Sequence, residues 1–267
     1  MKKKRVDELL VEQLLVEDKQ EALSYVLAGK VFTRDEIKIL TAGEKLPGNT
    51  ELYIKGKEKK YVSRGGLKLE KALDYFNITL EDKIVLDIGA STGGFTDVSL
   101  KNGAKLVYAL DVGTNQLAWE LRSHDQVVVM EQTNFRYSKP EDFNQGLPQF
   151  ATIDVSFISL ELILPPLSGI LEADGELVAL IKPQFEAARE EIGEGGIVRD
   201  PQVYEDVLRD VLSFAAQNTF LLLGLTVSPI TGTKGNIEFL AHFKKSTAVA
   251  TNEDELIMAV LKDISQL

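Results

Sequence analysis

The segment Ile84 to Asp97 reads IVLDIGASTGGFTD: an apolar run reaches Asp87, and a glycine-rich turn follows before a helical pattern begins. Glycine at 89, 93 and 94 lets the backbone approach a ligand where a side chain would clash. The N–H groups that open the next helix attract a carboxylate or phosphate. Such a strand, turn and helix can hold a nucleoside cofactor on Asp87, Gly89, Ala90, Ser91, Thr92, Gly93 and Gly94, and Asp111, ending LVYALD, is placed to accept ribose hydroxyls. The dinucleotide fingerprint wants G-x-G-x-x-G with an acid about 20 residues on. Here the glycines run G-x-x-x-G-G, which favours S-adenosylmethionine over NAD. A turn that only joins strand to helix is the alternative, as is a plain strand-end role for Asp111.

Three further charged residues fall at the expected strand termini or in the loops beside them, Glu238 at the start of the last strand. Asp154 follows the apolar ATI, Lys182 ends ELVALIK, and Glu238 lies in GNIEF. A lysine inside an apolar strand is costly unless it pairs with a carboxylate or does chemistry. Singly, each also fits a structural salt bridge; together, beside a cofactor turn, they make a candidate site. Asn134 and Phe135 follow the third strand, where they can contact an adenine or simply pack. The charged, glycine-rich stretch Gln184 to Asp200 reads as a lid or an ordinary surface loop. His124 and His242 are isolated and read as structural, and Trp119, between Leu117 and Leu121, as core. With no cysteine, disulfides and thiolate metal sites are excluded, and no metal is expected.

The elements that must position these residues alternate from residue 82 onward, as a doubly wound parallel sheet requires. Strands are expected near 84–89, 106–111, 127–130, 151–156, 176–182, 219–228 and 237–244, and helices at 94–102, 114–122, 160–172 and 201–217. The proline pair in LELILPPL should bend or cut its helix, and residues 252–266 read as a final amphipathic helix. SPITGTKGN is too short for a crossover helix, so the last strand should run antiparallel to its neighbour. Ligands in such sheets bind at the carboxyl ends of the strands. The first 60 residues read differently: VDELLVEQLL and DKQEALSYVLAGK as two helices, the second capped by Asp18 and stopped by Gly29, then short strands in VFTRDEI, KILTAGEKL and TELYIKGKE with a turn at Pro47 to Asn49.

A chain of 267 residues with 44% hydrophobic content can bury a sizeable core in one large domain and one small one. No stretch approaches the roughly 18 apolar residues of a membrane helix, and MKKKRVDELL lacks the apolar core of a secretory signal, so the cytoplasm is expected. The net charge of −11 is unevenly spread. Residues 1–60 carry 13 Lys and Arg against 11 Asp and Glu, and the remainder 17 against 30. Lys2 to Arg5 and Lys55 to Lys60 are basic clusters, followed by Arg64; they can form a phosphate-binding surface or a solvated one.

The first 60 residues resemble the alpha-L RNA-binding motif, through Arg5-Val6-Asp7 and Gly29-Lys30-Val31; the usual Ser-Arg opening the second helix is replaced by Asp18-Lys19, and Arg34-Asp35-Glu36 stands where the motif has a small turn. The resemblance implies RNA contacts from Arg5, Lys19, Lys30, Lys57, Lys59, Lys60 and Arg64. Over essentially the whole chain, YVSRGGLKL, DIGASTGGFTD, DVSFISL, IKPQFE and GNIEF resemble the TlyA family of ribosomal RNA methyltransferases within the FtsJ-like group. That resemblance implies a Lys-Asp-Lys-Glu tetrad of Lys68, Asp154, Lys182 and Glu238. It further implies methyl transfer from S-adenosylmethionine to the 2′-hydroxyl of cytidine in ribosomal RNA, 23S and in some members also 16S. The implied domains are an RNA-binding module at 1–60, a linker at 61–66 and a Rossmann-like methyltransferase domain with a seven-stranded sheet at 67–267. The implied partners are ribosomal RNA or ribosomal subunits, with no DNA and no membrane. A membrane-active haemolysin, a label this family has carried, and a non-catalytic RNA-binding assembly factor are the alternatives.

Overall fold

Asp18 opens the first legible helix boundary: its carboxylate accepts the backbone N–H groups of Gln20 and Glu21, both at 2.8 Å, which satisfies two donors that a helix start leaves unpaired. This is a computed structural model, and it describes residues 3–13, 15, 16, 18–56, 60–232, 235–246, 248 and 252–265. The chain divides into two units, Met1–Lys60 and Tyr61–Leu267. In the first, β1 (Lys3–Arg5) leads into α1 (Val6–Glu12), followed by α2 (Lys19–Leu27), β2 (Val31–Thr33), β3 (Lys45–Pro47) and β4 (Leu52–Ile54). β1 pairs antiparallel with β3, and β2 with β4. Leu9, Leu10, Ala22, Val26, Val31, Ile39 and Ile54 form its small core. Gly29 ends α2 in the left-handed region, and the chain turns at Pro47, whose carbonyl accepts Thr50 N–H.

The second unit begins with a segment expected to be a linker. Residues 61–66 instead pack into this unit: Tyr61 is buried with its hydroxyl donating to Glu70, and Val62 N–H donates to Asp97. They lead into α3 (Gly66–Phe76), a helix not anticipated because the glycine pair at its start reads as a break. Leu69, Ala72 and Leu73 nonetheless recur at helical spacing and are buried.

The sheet of this unit has seven strands in the order β10-β11-β9-β8-β5-β6-β7. β5 (Ile84–Ile88), β6 (Leu106–Leu110), β7 (Val127–Met130), β8 (Phe150–Ile153) and β9 (Glu176–Ile181) are parallel, and β10 (Phe220–Val227) and β11 (Phe239–Lys245) close it antiparallel. Parallel strands covered on both faces need near-continuous apolar sequence, and LVYAL and FATI supply it, buried throughout. α4 (Gly94–Lys101) follows the glycine turn, and α8 (Pro201–Gln217) buries Val203, Val207, Leu208, Val211 and Leu212 on one stripe. Each such side chain contributes about 1.5–3 kcal/mol. α9 (Glu253–Ile264) ends the described chain.

Two expected helices are shorter than anticipated. Of 114–122 only α5 (Trp119–Arg122) is helical, because Asn115 lies in the left-handed region at φ of +53° and Ala118 is extended; the Glu131 carboxylate holds this irregular stretch by accepting from the N–H groups of Asn115, Gln116 and Leu117. Trp119, expected in the core, is 78% exposed; Leu117 and Leu121 fill that role. The stretch 160–172 breaks at Ile163 into a single 3₁₀ turn and α6 (Leu164–Ile170), whose first turn carries the proline pair. α7 (Pro183–Glu186) is one short turn beyond β9.

Candidate active site

Four charged side chains converge at the carboxyl edge of the sheet. Asp154 follows β8, Lys182 follows β9, and Lys68 sits in the first turn of α3. Glu238 immediately precedes β11, and because β11 is antiparallel, with Phe239 opposite Ile181, its start lies where β9 ends. Lys68 Nζ lies 2.7 Å from Glu238 Oε2 and 3.8 Å from Asp154 Oδ2, and Lys182 Nζ lies 2.5 Å from Asp154 Oδ1. The result is an unbroken row, Glu238, Lys68, Asp154, Lys182, of alternating sign. Lys68 and Lys182 are each 7% exposed and Glu238 3%. Removing Lys68 leaves the buried Glu238 carboxylate without this counterion, which costs about 3–5 kcal/mol.

The row borders a cavity of about 260 Å³ whose opposite wall is the glycine turn: Gly89, Ala90, Ser91, Thr92 and Gly94, with Ser63 and Gly65 beside them. Gly89 has φ of +88°, and a Cβ there would sit 2.5 Å from the backbone oxygen of Asp154. Only glycine allows the turn to lie this close to the tetrad. Gly94 and Phe95, the first residues of α4, line the same cavity, and amides that open a helix lack intrahelical partners, a donor set suited to the carboxylate of an amino-acid cofactor.

Not every residue expected at the cofactor reaches the cavity. Asp87 is fully buried beneath the turn, accepting from the hydroxyls of Thr96 at 2.7 Å and Thr152 at 3.0 Å. It braces the turn instead of touching a ligand, and burial without a cation pushes its carboxyl up to about 6. Asp111 accepts Ser91 N–H at 2.8 Å and Gly113 N–H at 2.7 Å, tying the turn to its own loop, and each oxygen keeps a second lone pair for a ribose hydroxyl. Phe135 is 2% exposed within the main core, so its ring packs against protein and leaves no face for an adenine. Asn134 accepts the Arg136 N–H, capping a short 3₁₀ turn.

Among the residues expected to meet RNA, Arg5 is paired with Asp7, and Lys19 with Glu8 at 3.0 Å. Lys30 and Lys60 are exposed, and Arg64 is exposed with one bond to the Thr231 carbonyl at 3.4 Å. Lys57 and Lys59 lie outside the described residues. His242 is buried beside Glu176 at 3.0 Å, a structural pair on the sheet.

Sequence reading missed what surrounds Lys182. Its ammonium donates to Ser156 Oγ at 3.1 Å. Next to it a groove of about 570 Å³ runs between Arg136, Phe157, Phe185 and Arg189, the two rings 5.0 Å apart. The loop after β9 is tied down by Glu186, which accepts Leu160 N–H at 3.0 Å and whose carboxyl is raised above its usual range, mainly by burial. DVSFISL contained the signal: a serine and an exposed aromatic directly after an acidic strand end.

Residues 61–245 match the family model described as FtsJ-like methyltransferase. The chain is 56% identical over 241 residues to the Bacillus subtilis (strain 168) protein named "Putative rRNA methyltransferase YqxC", covering 90% of this chain and 85% of that one. It is 39% identical over 263 residues to the 16S/23S rRNA (cytidine-2′-O)-methyltransferase TlyA of Mycobacterium tuberculosis (strain ATCC 25618 / H37Rv), covering 98% and 97%. A solved structure from Streptococcus thermophilus that carries a hemolysin name is 54% identical, with a TM-score of 0.77 over 100% of this chain and 98% of that one. The haemolysin label therefore travels with the same fold, although no helix among the described residues is long and apolar enough to cross a membrane. A cofactor turn facing a Lys-Asp-Lys-Glu row, within a domain matched along most of its length, places the chain in the FtsJ-like methyltransferase family.

Proposed function

We propose that Lys68, Asp154, Lys182 and Glu238 carry methyl transfer from S-adenosylmethionine to the ribose 2′-hydroxyl of cytidine in ribosomal RNA. The enzyme is an S-adenosylmethionine-dependent ribose methyltransferase, and the observation that carries the assignment of its site is the continuous ion row beside the glycine turn. The cofactor supplies an electrophilic sulfonium methyl group. A ribose hydroxyl is a poor nucleophile, so the protein must align it and stabilise the oxygen as its proton leaves. Lys182, paired with Asp154 at 2.5 Å, presents a charged ammonium to the cavity for that purpose. The Asp154 carboxylate, at the same ammonium, is placed to receive the hydroxyl proton. Glu238 and Lys68 hold Asp154 from the other side.

The substrate enters through features outside the row. Arg136 and Arg189 flank the groove next to Lys182, where they can meet phosphates, and residues 1–60 bring the basic part of the chain to the RNA. Free ribosomal RNA and assembled subunits are both acceptors to test; DNA, lacking the 2′-hydroxyl, is not a substrate.

The test incubates the protein with radiolabelled S-adenosylmethionine and unmethylated 16S RNA, 23S RNA and both subunits, beside Lys182→Ala. The expected result is label at an alkali-resistant linkage in the wild type, reduced about 10²- to 10⁴-fold in the variant. Label on a base, or undiminished label with Lys182→Ala, refutes the proposal.

A further inference from the structure

We infer that Ser156 is a positioning residue for this transfer, fixing the direction of the Lys182 ammonium through its hydroxyl. The inference rests on the reading of Lys182 as the group that meets the ribose oxygen.

A lysine ammonium has three donors on a flexible four-carbon stem, so one ion pair leaves it free to swing about that bond. Here Asp154 Oδ1 takes one donor at 2.5 Å and Ser156 Oγ a second at 3.1 Å. The two acceptors stand two residues apart on one loop, and they hold Nζ at two points. The third donor remains for the cavity, which Ser156 and Lys182 both line.

The loop is built to keep Ser156 there. Phe157 adopts φ of +61°, a left-handed conformation that a non-glycine residue takes only under constraint. The chain bends at that point, with Ser156 on Lys182 and Phe157 91% exposed. Three residues on, Leu160 N–H is held by Glu186, which closes the turn directly after Lys182. The serine's loop and the lysine's turn are thus fastened together twice, once through Ser156 and once through Glu186. A hydroxyl whose only duty were solubility would not need this second fastening.

Small misplacement of a reacting group costs rate more than binding. The experiment therefore measures kcat for RNA methylation, Kd for RNA and for S-adenosylmethionine, and Tm, in wild type, Ser156→Ala, Ser156→Thr and Lys182→Ala. Ser156→Ala is expected to lower kcat about tenfold or more with both Kd values within about twofold and Tm unchanged. Ser156→Thr, which restores a hydroxyl, is expected to recover most of that loss. Wild-type kcat in Ser156→Ala, a loss confined to Kd or Tm, or equal losses in the Ala and Thr variants overturns the inference. A wild type that methylates no RNA sinks the parent reading and the inference with it, whereas an active wild type beside an unaffected Ser156→Ala sinks the inference alone.

Discussion

Asp87 is the residue whose environment differs most from its chemistry, a carboxyl without a cation inside the protein, satisfied by two threonine hydroxyls. Its proton affinity is raised from the ordinary value of 3.8 to about 6 in the folded state. The native protein therefore holds this proton where the unfolded chain has released it, and stability is lost as pH rises from about 4 through 6. Two pH units correspond to about 3 kcal/mol. Asp87→Asn, which cannot ionise, is expected to gain about that much relative to wild type between pH 4 and pH 7 in urea unfolding without cofactor. A difference that stays flat across that range would show that Asp87 titrates normally. The sequence disclosed Asp87, Asp154, Lys182 and Glu238 as residues with work to do, because the first three are charges at the end of apolar runs and Glu238 stands at the start of the last expected strand. It did not disclose that Asp87 points into the protein while the others meet in a cavity, nor that Phe135 is fully packed, since strand-end position says nothing of which way a side chain turns.

Among the elements, the glycine turn and the loop after β8 are in direct contact. A Cβ at position 89 meets the Asp154 carbonyl and adds a strained φ of +88°. Gly89→Ala is accordingly expected to destabilise the protein by about 1–3 kcal/mol and to lower both cofactor affinity and kcat. Unchanged affinity and rate, measured by titration calorimetry and methylation, would show that turn and loop are independent. The parallel strands were legible from their apolar runs and α8 from its 3.6-residue stripe. α3 was hidden behind Gly65-Gly66, and most of the helix expected at 114–122 is replaced by a loop that turns through a left-handed Asn115 and is held by the distant Glu131 carboxylate, a partner no local pattern reveals. Local propensity decides where an element is possible; tertiary partners decide where it stops.

For the whole molecule, charge is divided as sharply as structure. The first 60 residues are nearly balanced, while the other unit carries 30 acidic against 17 basic residues. A polyanion gains little from the acidic unit by itself, so deletion of residues 1–60 is expected to raise Kd for ribosomal RNA about tenfold or more and to flatten its dependence on salt. An unaltered Kd with the same salt slope, in filter binding at two ionic strengths, would place RNA recognition wholly in residues 61–267. The strand order also sets a schedule. β11 lies between β9 and β10 although it follows both in sequence, and Glu238 immediately precedes it. Until that strand emerges from synthesis, β9 has an open apolar edge and Lys68 lacks its nearest carboxylate. A nascent chain can thus build the cofactor turn early, but its ion row is completed only when the β10–β11 hairpin joins the sheet, so activity reports that this late pairing has been made.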